Sequence, residues 1–444
     1  MKKSRYNIFI EDENKVLSYN SFKNSYLIIS KKAFEEFKRF DDPKELCENY
    51  PQTYNSLVSN GYIINDEVDE LALLRLENKK EIVNPHYYSL MVYPTQDCNL
   101  KCWYCYEHHI PNSKMSQEVL ERVILHIRKI CIDRVYSFVR IVFFGGEPFL
   151  HYEEIVKPIL EELKMNQKQY GVDYIAFFVT NASLLTDEII TELSEYNVLF
   201  QITLDGEESV HNQIRKRKKG SEGTYHQIIS AIKKIDNRIP LSPTCHTNTL
   251  INIRINYDDR TLQGIHKILK DLSEVNRDKV VIHLERIWQT LSDKKPESKI
   301  SLLKCISEIT NAGFVYSIGT FGYKRVSCPA EICDYAVINW DGLIYKCNGR
   351  TLDPENAVGY LEADGNIVWN LNRIAKRSGL ATFENKMCLK CKMLPQCMGP
   401  CSQKLMENSA DLNSICAMRL MDISITEYIK LNFELLLARN RKVR

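Results

Sequence analysis

The sequence predicts an α/β fold: a parallel sheet with crossover helices, a small mixed module before it and a cysteine-rich module after it. Six apolar, strand-like runs alternate with helical stretches from about residue 89 to about residue 287. Six β-then-α units in chain order need crossovers, which gives an open parallel sheet or a partial (β/α)6 barrel. The flanking modules follow from composition: eight of the fifteen cysteines lie between residues 328 and 416. The expected division is 1–85, 86–318 and 319–444.

A chain of 444 residues is long enough for two or three domains. Hydrophobic residues make up 44% and charged residues 26%, the balance of an ordinary globular protein. A net charge of +2 gives no global pull toward nucleic acid or an anionic membrane. Met1-Lys2-Lys3 is basic, but Glu11, Asp12 and Glu13 follow before any apolar core, unlike a signal peptide. No apolar run is long enough to span a bilayer. The expected location is cytoplasmic, where disulfides are uncommon and clustered cysteines read as metal ligands. Cys47, Cys131, Cys245 and Cys305 stand apart from the clusters and read as small core residues.

In the first segment, Asn7–Ile10, Lys15–Ser18 and Ser25–Ser30 read as strands, and Lys31–Phe40 and Pro43–Ser59 as helices. Tyr62–Ile64 can return as a strand, which makes a winged-helix-like module, and Glu70–Lys80 suits a linking helix. In the second segment the strands are Ser89–Pro94, Val139–Phe144, Tyr174–Thr180, Val198–Leu204, Thr244–Ile251 and Val280–Glu285. Cys98, Gly145, Asn181 and Asp205 fall just after the first four, at the carboxyl ends where such sheets carry chemistry. The third segment needs metal to stabilise it, and its end holds a final helix within Ser409–Leu437.

Cys98, Cys102 and Cys105 offer three thiolates within eight residues. Structural zinc takes four ligands, and His108 or His109 could complete such a site. A [4Fe–4S] cluster on three thiolates keeps one iron open for a small ligand. The spacing, with the aromatic Tyr104 before the third cysteine, resembles the radical S-adenosylmethionine (SAM) superfamily. The resemblance implies that the open iron chelates SAM, and that reductive cleavage yields a 5′-deoxyadenosyl radical that takes a hydrogen atom from the substrate. Gly145-Gly146-Glu147-Pro148 resembles the glycine-rich motif that receives the SAM amino group, with Glu147 or a nearby carbonyl as acceptor. Thr180-Asn181 resembles a Thr-Asn-Gly motif, with Ala182 in place of glycine. Thr203-Leu204-Asp205-Gly206 resembles Ser-x-Asp-Gly. Arg215 stands where the family places an arginine near the SAM carboxylate, although its run, Arg215-Lys216-Arg217-Lys218-Lys219, reads as a solvated loop. Asn252, Arg254 and Asn256 after the fifth strand and Glu285 on the sixth could line the pocket. The catalytic acid or base is not legible.

Cys388-x2-Cys391-x5-Cys397-x3-Cys401, a last Cys416, and Gly342-x4-Cys347 preceded by Cys328 and Cys333 resemble the SPASM domain of peptide-modifying radical SAM enzymes. The resemblance implies two auxiliary [4Fe–4S] clusters, three clusters in all. Cys328, Cys333, Cys347 and Cys401 would hold one, and Cys388, Cys391, Cys397 and Cys416 the other. Two four-thiolate zinc sites would satisfy the same spacing and give a zinc-binding interaction protein instead.

The order of modules resembles maturases of ribosomally made peptides. That implies a precursor peptide whose leader adds a strand beside Ser25–Ile29 and the helix Lys31–Phe40, and an electron donor such as flavodoxin or ferredoxin. A thioether or carbon–carbon crosslink or an epimerised residue would follow; for epimerisation Cys245 is a hydrogen-donor candidate. The alternative in the superfamily is the anaerobic sulfatase-maturating enzyme. That family has an aspartate base after a SPASM cysteine, where Asn348 follows Cys347 here, and asparagine cannot act as a base.

Overall fold

The computed structural model describes residues 1–39, 43–83, 86–133, 135–244, 249–293, 296–319, 322, 324–407 and 412–442. The chain forms two compact units. One comprises Met1–Val83, Thr320–Ile332 and Gly379–Arg444, the other Asn84–Gly319 and Cys333–Ser378. Residues of the cysteine-rich segment are thus found in both.

The larger unit is built on eleven strands. Eight are parallel: β1 (Tyr87–Val92), β2 (Phe138–Phe143), β3 (Asp173–Thr180), β4 (Val198–Thr203), β5 (Ile251–Tyr257), β6 (Val280–Arg286), β7 (Val315–Ile318) and β8 (Tyr335–Ile338). Three antiparallel strands follow: β9 (Leu343–Tyr345), β10 (Gly359–Leu361) and β11 (Ile367–Trp369). The spatial order is β7-β6-β5-β4-β3-β2-β1-β8-β9-β10-β11. The six expected units are therefore neighbours in chain order, in a sheet that stays open, with β7 and β8 added at either end. Phe143, Phe178 and Phe200, paired in register on β2, β3 and β4, stack with centroids 4.9 and 5.6 Å apart and form part of the core. Helix Gln117–Ile132 is started by Ser116, whose side chain accepts from Val119 N–H, and buries Val119, Leu120, Val123, Ile127 and Ile130.

Three expectations for this unit change. The fifth strand is Ile251–Tyr257, not Thr244–Ile251; residues 245–248, and with them Cys245, lie outside the described residues. Asn252, Arg254 and Asn256 therefore lie on a strand, alternating with the buried Ile251, Ile253 and Ile255. Arg215–Arg217 is a short strand rather than a loop. The sequence has one helical pattern over Asp258–Leu272, which divides in the structure into Asp259–Gln263 and Ile265–Asp271 at Gly264.

The smaller unit contains an antiparallel sheet, Asn7–Glu11, Lys15–Asn20 and Ser25–Ser30, in that order. Val16 and Ile29 pack with Phe34, Phe37, Leu46 and Leu57 of the following helices, while Ile10 and Tyr19 pack with Met393 and Ile429. The single helix expected over Pro43–Ser59 is two, Pro43–Asn49 and Pro51–Ser59. Pro51 lacks an N–H and holds Tyr50 out of the helical region, at φ −141° and ψ 63°. Asn20 Nδ2, fully buried, donates to Asn7 Oδ1 (2.8 Å), Ser4 Oγ (3.0 Å) and Gly61 O (3.0 Å). The last helix is Ile425–Lys442. No helix among the described residues is long and apolar enough to cross a membrane.

Candidate functional site

In the parallel sheet, backbone polarity and register bring the carboxyl ends of β1 to β6 to one edge. The loop after β1 carries Cys98, Cys102 and Cys105. Within it, Leu100–Cys102 forms a two-stranded ribbon with Arg215–Arg217, pairing Cys102 with Arg215 and Lys101 with Lys216. Tertiary partners fix this basic segment. Lys218 Nζ reaches Asp97 Oδ1 at 2.9 Å, Lys218 N–H donates to Asn99 O at 3.0 Å, and the Arg215 side chain turns inward.

The turn after β2 lies against the same loop. Gly146 N–H donates to Thr95 O (3.1 Å) and Glu147 N–H to Asp97 O (2.9 Å). Gly145 has φ +109°, and a Cβ there would lie 2.3 Å from Thr95 O. A Cβ on Gly146 would lie 1.8 Å from Asp97 O, so both glycines are required by close backbone approach. Glu147 is 1% exposed. Its carboxylate accepts from Thr180 Oγ1 (2.7 Å), Asn181 N–H (2.8 Å) and Phe149 N–H (3.2 Å), which ties the end of β3 to the turn. Burial pushes its pKa up to about 6. Asn181 Nδ2 in turn donates to Asn99 Oδ1 at 2.8 Å and lies 3.8 Å from Cys98 Sγ.

Asp205, fully buried after β4, organises the opposite wall. Tyr104 donates its hydroxyl to Asp205 Oδ2, and Arg215 Nη1 donates to the Tyr104 hydroxyl (2.7 Å) and to Asp205 Oδ2 (3.3 Å). Asn256 completes the group, with its N–H donating to Asp205 Oδ1 at 2.8 Å and its Nδ2 to Tyr104 Oη at 3.0 Å. His211 Nδ1 faces Asp205 N–H at 3.2 Å. The cysteine loop, β4, β5 and the basic ribbon thus meet on one carboxylate.

A cavity of about 230 Å³ opens between these walls. Cys98, Cys102, Cys105, Tyr104, Gly145, Gly146, Asn181, Thr203 and Arg215 all line it. So do Arg254, Asn256 and Glu285. Glu147 and Asp205 act from behind it through the hydrogen bonds above, and Asn252 is not part of the lining.

Residues 92–282 match the family profile described as the radical SAM superfamily. The chain carries a radical SAM domain. It is 24% identical over 359 residues to the cysteine-type anaerobic sulfatase-maturating enzyme of Clostridium perfringens, covering 74% of this chain and 93% of that one. Its fold resembles native anSMEcpe with bound AdoMet and Cp18Cys peptide, at TM-score 0.58 and 20% identity over 81% of this chain and 100% of that one. It also resembles Streptococcus suis SuiB bound to precursor peptide SuiA, at TM-score 0.52 and 13% identity over 92% and 97%.

A radical SAM enzyme carries a [4Fe–4S] cluster and SAM, and the residues present fit both. Three thiols share one cavity, and Arg215 Nε is buried beside it without a hydrogen-bond partner among the described residues. Among the described residues, no three or more His, Cys, Asp or Glu side chains are gathered as for a single metal ion. Burial pushes the Cys98 thiol to about 12 and the Cys105 thiol to about 11, so both hold their protons until metal displaces them.

In the smaller unit, Cys388, Cys391, Cys397 and Cys416 line a second, apolar cavity with Leu394 and Met418. Cys328 and Cys401 lie in this unit, on segments joined by Ser327 Oγ donating to Pro400 O at 2.9 Å. Cys333 and Cys347 lie in the larger unit. Of the isolated cysteines, Cys131 and Cys305 are buried and Cys47 is half-buried.

Sequence reading missed Glu107, Arg286 and Gln289, which also line the radical SAM cavity. Burial pushes Glu107 up to about 8, and Tyr93 Oη donates to it at 3.1 Å. Its only sequence signal was its place two residues beyond Cys105. Gln289 donates to Tyr104 O at 2.6 Å from a segment beyond β6 that carries no motif.

Proposed function

We propose that the enzyme modifies a ribosomally made precursor peptide by hydrogen abstraction, giving a thioether or carbon–carbon crosslink or an epimerised residue. Cys98, Cys102 and Cys105 hold the cluster; Gly145, Gly146, Asn181, Thr203, Tyr104 and Arg215 receive SAM. With SAM bound and one electron supplied, this group provides the hydrogen-atom abstractor. The chain's own residues set its surroundings. Asp205 fixes the Tyr104 hydroxyl and the Arg215 guanidinium, Glu147 holds the glycine turn against the cysteine loop, and Arg254 and Glu285 offer charge to the substrate.

The observation that carries the peptide reading is the edge strand Ser25–Ser30, which pairs on one side only among the described residues. An open edge accepts an extended segment as a further strand. The similarity to SuiB spans 92% of this chain and so includes part of this module. Asn348 after Cys347 supports this reading over sulfatase maturation, because it leaves no base at that position. The four-thiol cavity at Cys388, Cys391, Cys397 and Cys416 supports one auxiliary cluster. The other set, Cys328, Cys333, Cys347 and Cys401, rests on the spacing alone. An electron donor such as flavodoxin or ferredoxin is the further partner.

The test is to incubate reduced, iron-loaded enzyme and SAM with a precursor peptide from a neighbouring short reading frame, and weigh the product. Loss of two hydrogens indicates a crosslink, and a mass unchanged in ordinary water but raised by deuterium when the reaction is run in D2O indicates epimerisation. An unaltered peptide beside a sulfatase peptide converted to formylglycine would refute the proposal.

A further inference from the structure

The basic run is only partly used by the site. Arg215 is buried on Asp205, Lys218 reaches Asp97, and Arg217 Nε donates to Glu222 O at 3.2 Å. Lys216 and Lys219 are exposed, as is Lys101 on the facing strand. Lys101 and Lys216 are direct register partners. Like charges placed opposite one another destabilise an antiparallel pair, and no ion pair among the described residues includes either lysine. With a chain charge of only +2, this density of cations is local. The next residue after Lys101 is Cys102, a cluster ligand, followed by Trp103, 49% exposed although it sits between two ligand cysteines.

We propose that the ribbon of Leu100–Cys102 and Arg215–Arg217, with Lys219 and Trp103 beside it, is the docking surface for a small acidic one-electron carrier protein. The inference rests on the cluster assignment above and deepens its electron-donor partner. An acidic partner relieves the Lys101–Lys216 repulsion, and Trp103 gives the contact an aromatic centre. The exposed cations are lysines, hydrated point charges suited to brief encounters, while both arginines of the ribbon have partners within the chain. That disfavours an oriented phosphate contact and hence nucleic acid. An acidic peptide would gain nothing from the adjacent Cys102, whereas a redox carrier needs that adjacency. In the step itself the carrier is oxidised by one electron and the cluster reduced by one, with no bond made or broken.

The experiment uses anaerobic, iron-loaded enzyme and a reduced bacterial flavodoxin as the probe, with binding followed by flavin fluorescence and cluster reduction by electron paramagnetic resonance. In K101E/K216E/K219E the association rate is expected to fall about ten-fold or more at low ionic strength. The difference should shrink toward 1 M salt, where the screening length is about 3 Å. Dithionite-driven SAM cleavage should be unchanged, and the neutral K101Q/K216Q/K219Q variant should fall between. Flavodoxin binding equal to wild type in the reversed variant overturns the proposal. So does a variant that loses affinity for poly-glutamate or duplex DNA while keeping it for flavodoxin. Failure of dithionite to support cleavage in the wild type would strike the cluster assignment first, before any carrier is added, and the proposal with it.

Discussion

Replacing Gly146 by alanine places a methyl carbon 1.8 Å from Asp97 O, 2.3 Å from its carbonyl carbon and 2.9 Å from the carbonyl carbon of Gln96. All three are backbone atoms, so no rotamer change gives relief. The turn must withdraw from residues 95–97, which breaks Gly146 N–H to Thr95 O and Glu147 N–H to Asp97 O. Two backbone hydrogen bonds contribute about 1–3 kcal/mol together, and overpacking adds about 1–3 kcal/mol, so G146A should lose about 2–6 kcal/mol. The disturbance reaches the cysteine loop, because Cys98 N–H donates to Asp97 Oδ1 at 2.8 Å. The assay is urea unfolding of the larger unit's transition, with SAM affinity by equilibrium dialysis on the iron-loaded enzyme. G171A is the control: an added Cβ there meets nothing within 4 Å, and only its φ of +71° opposes it. It should lose about 1 kcal/mol and keep SAM affinity. If G146A matches G171A in both measurements, the close approach of the two loops is not what the glycine serves.

Ala182 holds φ +57° at a buried position, so A182G should raise urea stability by about 0.5–1 kcal/mol; a loss would mean that the side chain's packing outweighs the backbone. His126 lies between the Tyr88 hydroxyl (3.0 Å) and Gly365 O (2.8 Å), and burial pushes its pKa down to about 4. The folded value is below the unfolded one, so the neutral ring's contribution is fully present above about pH 6.5 and is lost as pH falls toward 4. That amounts to about 3 kcal/mol, and H126Q should flatten this part of the stability profile. C388A/C391A, which leaves only two thiols of the Cys388, Cys391, Cys397 and Cys416 set, should lower iron by about four atoms per chain from about twelve while dithionite-driven SAM cleavage persists; unchanged iron would remove this pair from the ligand set.

Five of the six strands and the cysteine loop were legible because each is written locally, the strands as apolar runs between helices and the loop as thiols at fixed spacing. The fifth strand was misplaced for a physical reason. Ile251–Tyr257 alternates isoleucine with Asn252, Arg254 and Asn256, so its mean composition reads as polar while its pattern has the period of a strand with one buried face. The split at Pro51 was legible and missed, since a proline inside a helical pattern ends the helix at the residue before it. Glu107 and Gln289 lacked any pattern, because their place in the cavity depends on how distant segments turn back.

The basic ribbon shows why charge runs resist reading from sequence. Five consecutive cations look uniformly solvated, yet tertiary partners divide them. Arg215 is buried because Asp205 and Tyr104 accept its hydrogen bonds from 10 and 111 residues away, and Lys218 is held by Asp97 from 121 residues away. The strand then follows from those anchors, since fixing both ends leaves Lys216 opposite Lys101 whatever their repulsion. The chain thus accepts a surface cost at the point where Cys102, the proposed cluster ligand, lies one residue from solvent-exposed lysine.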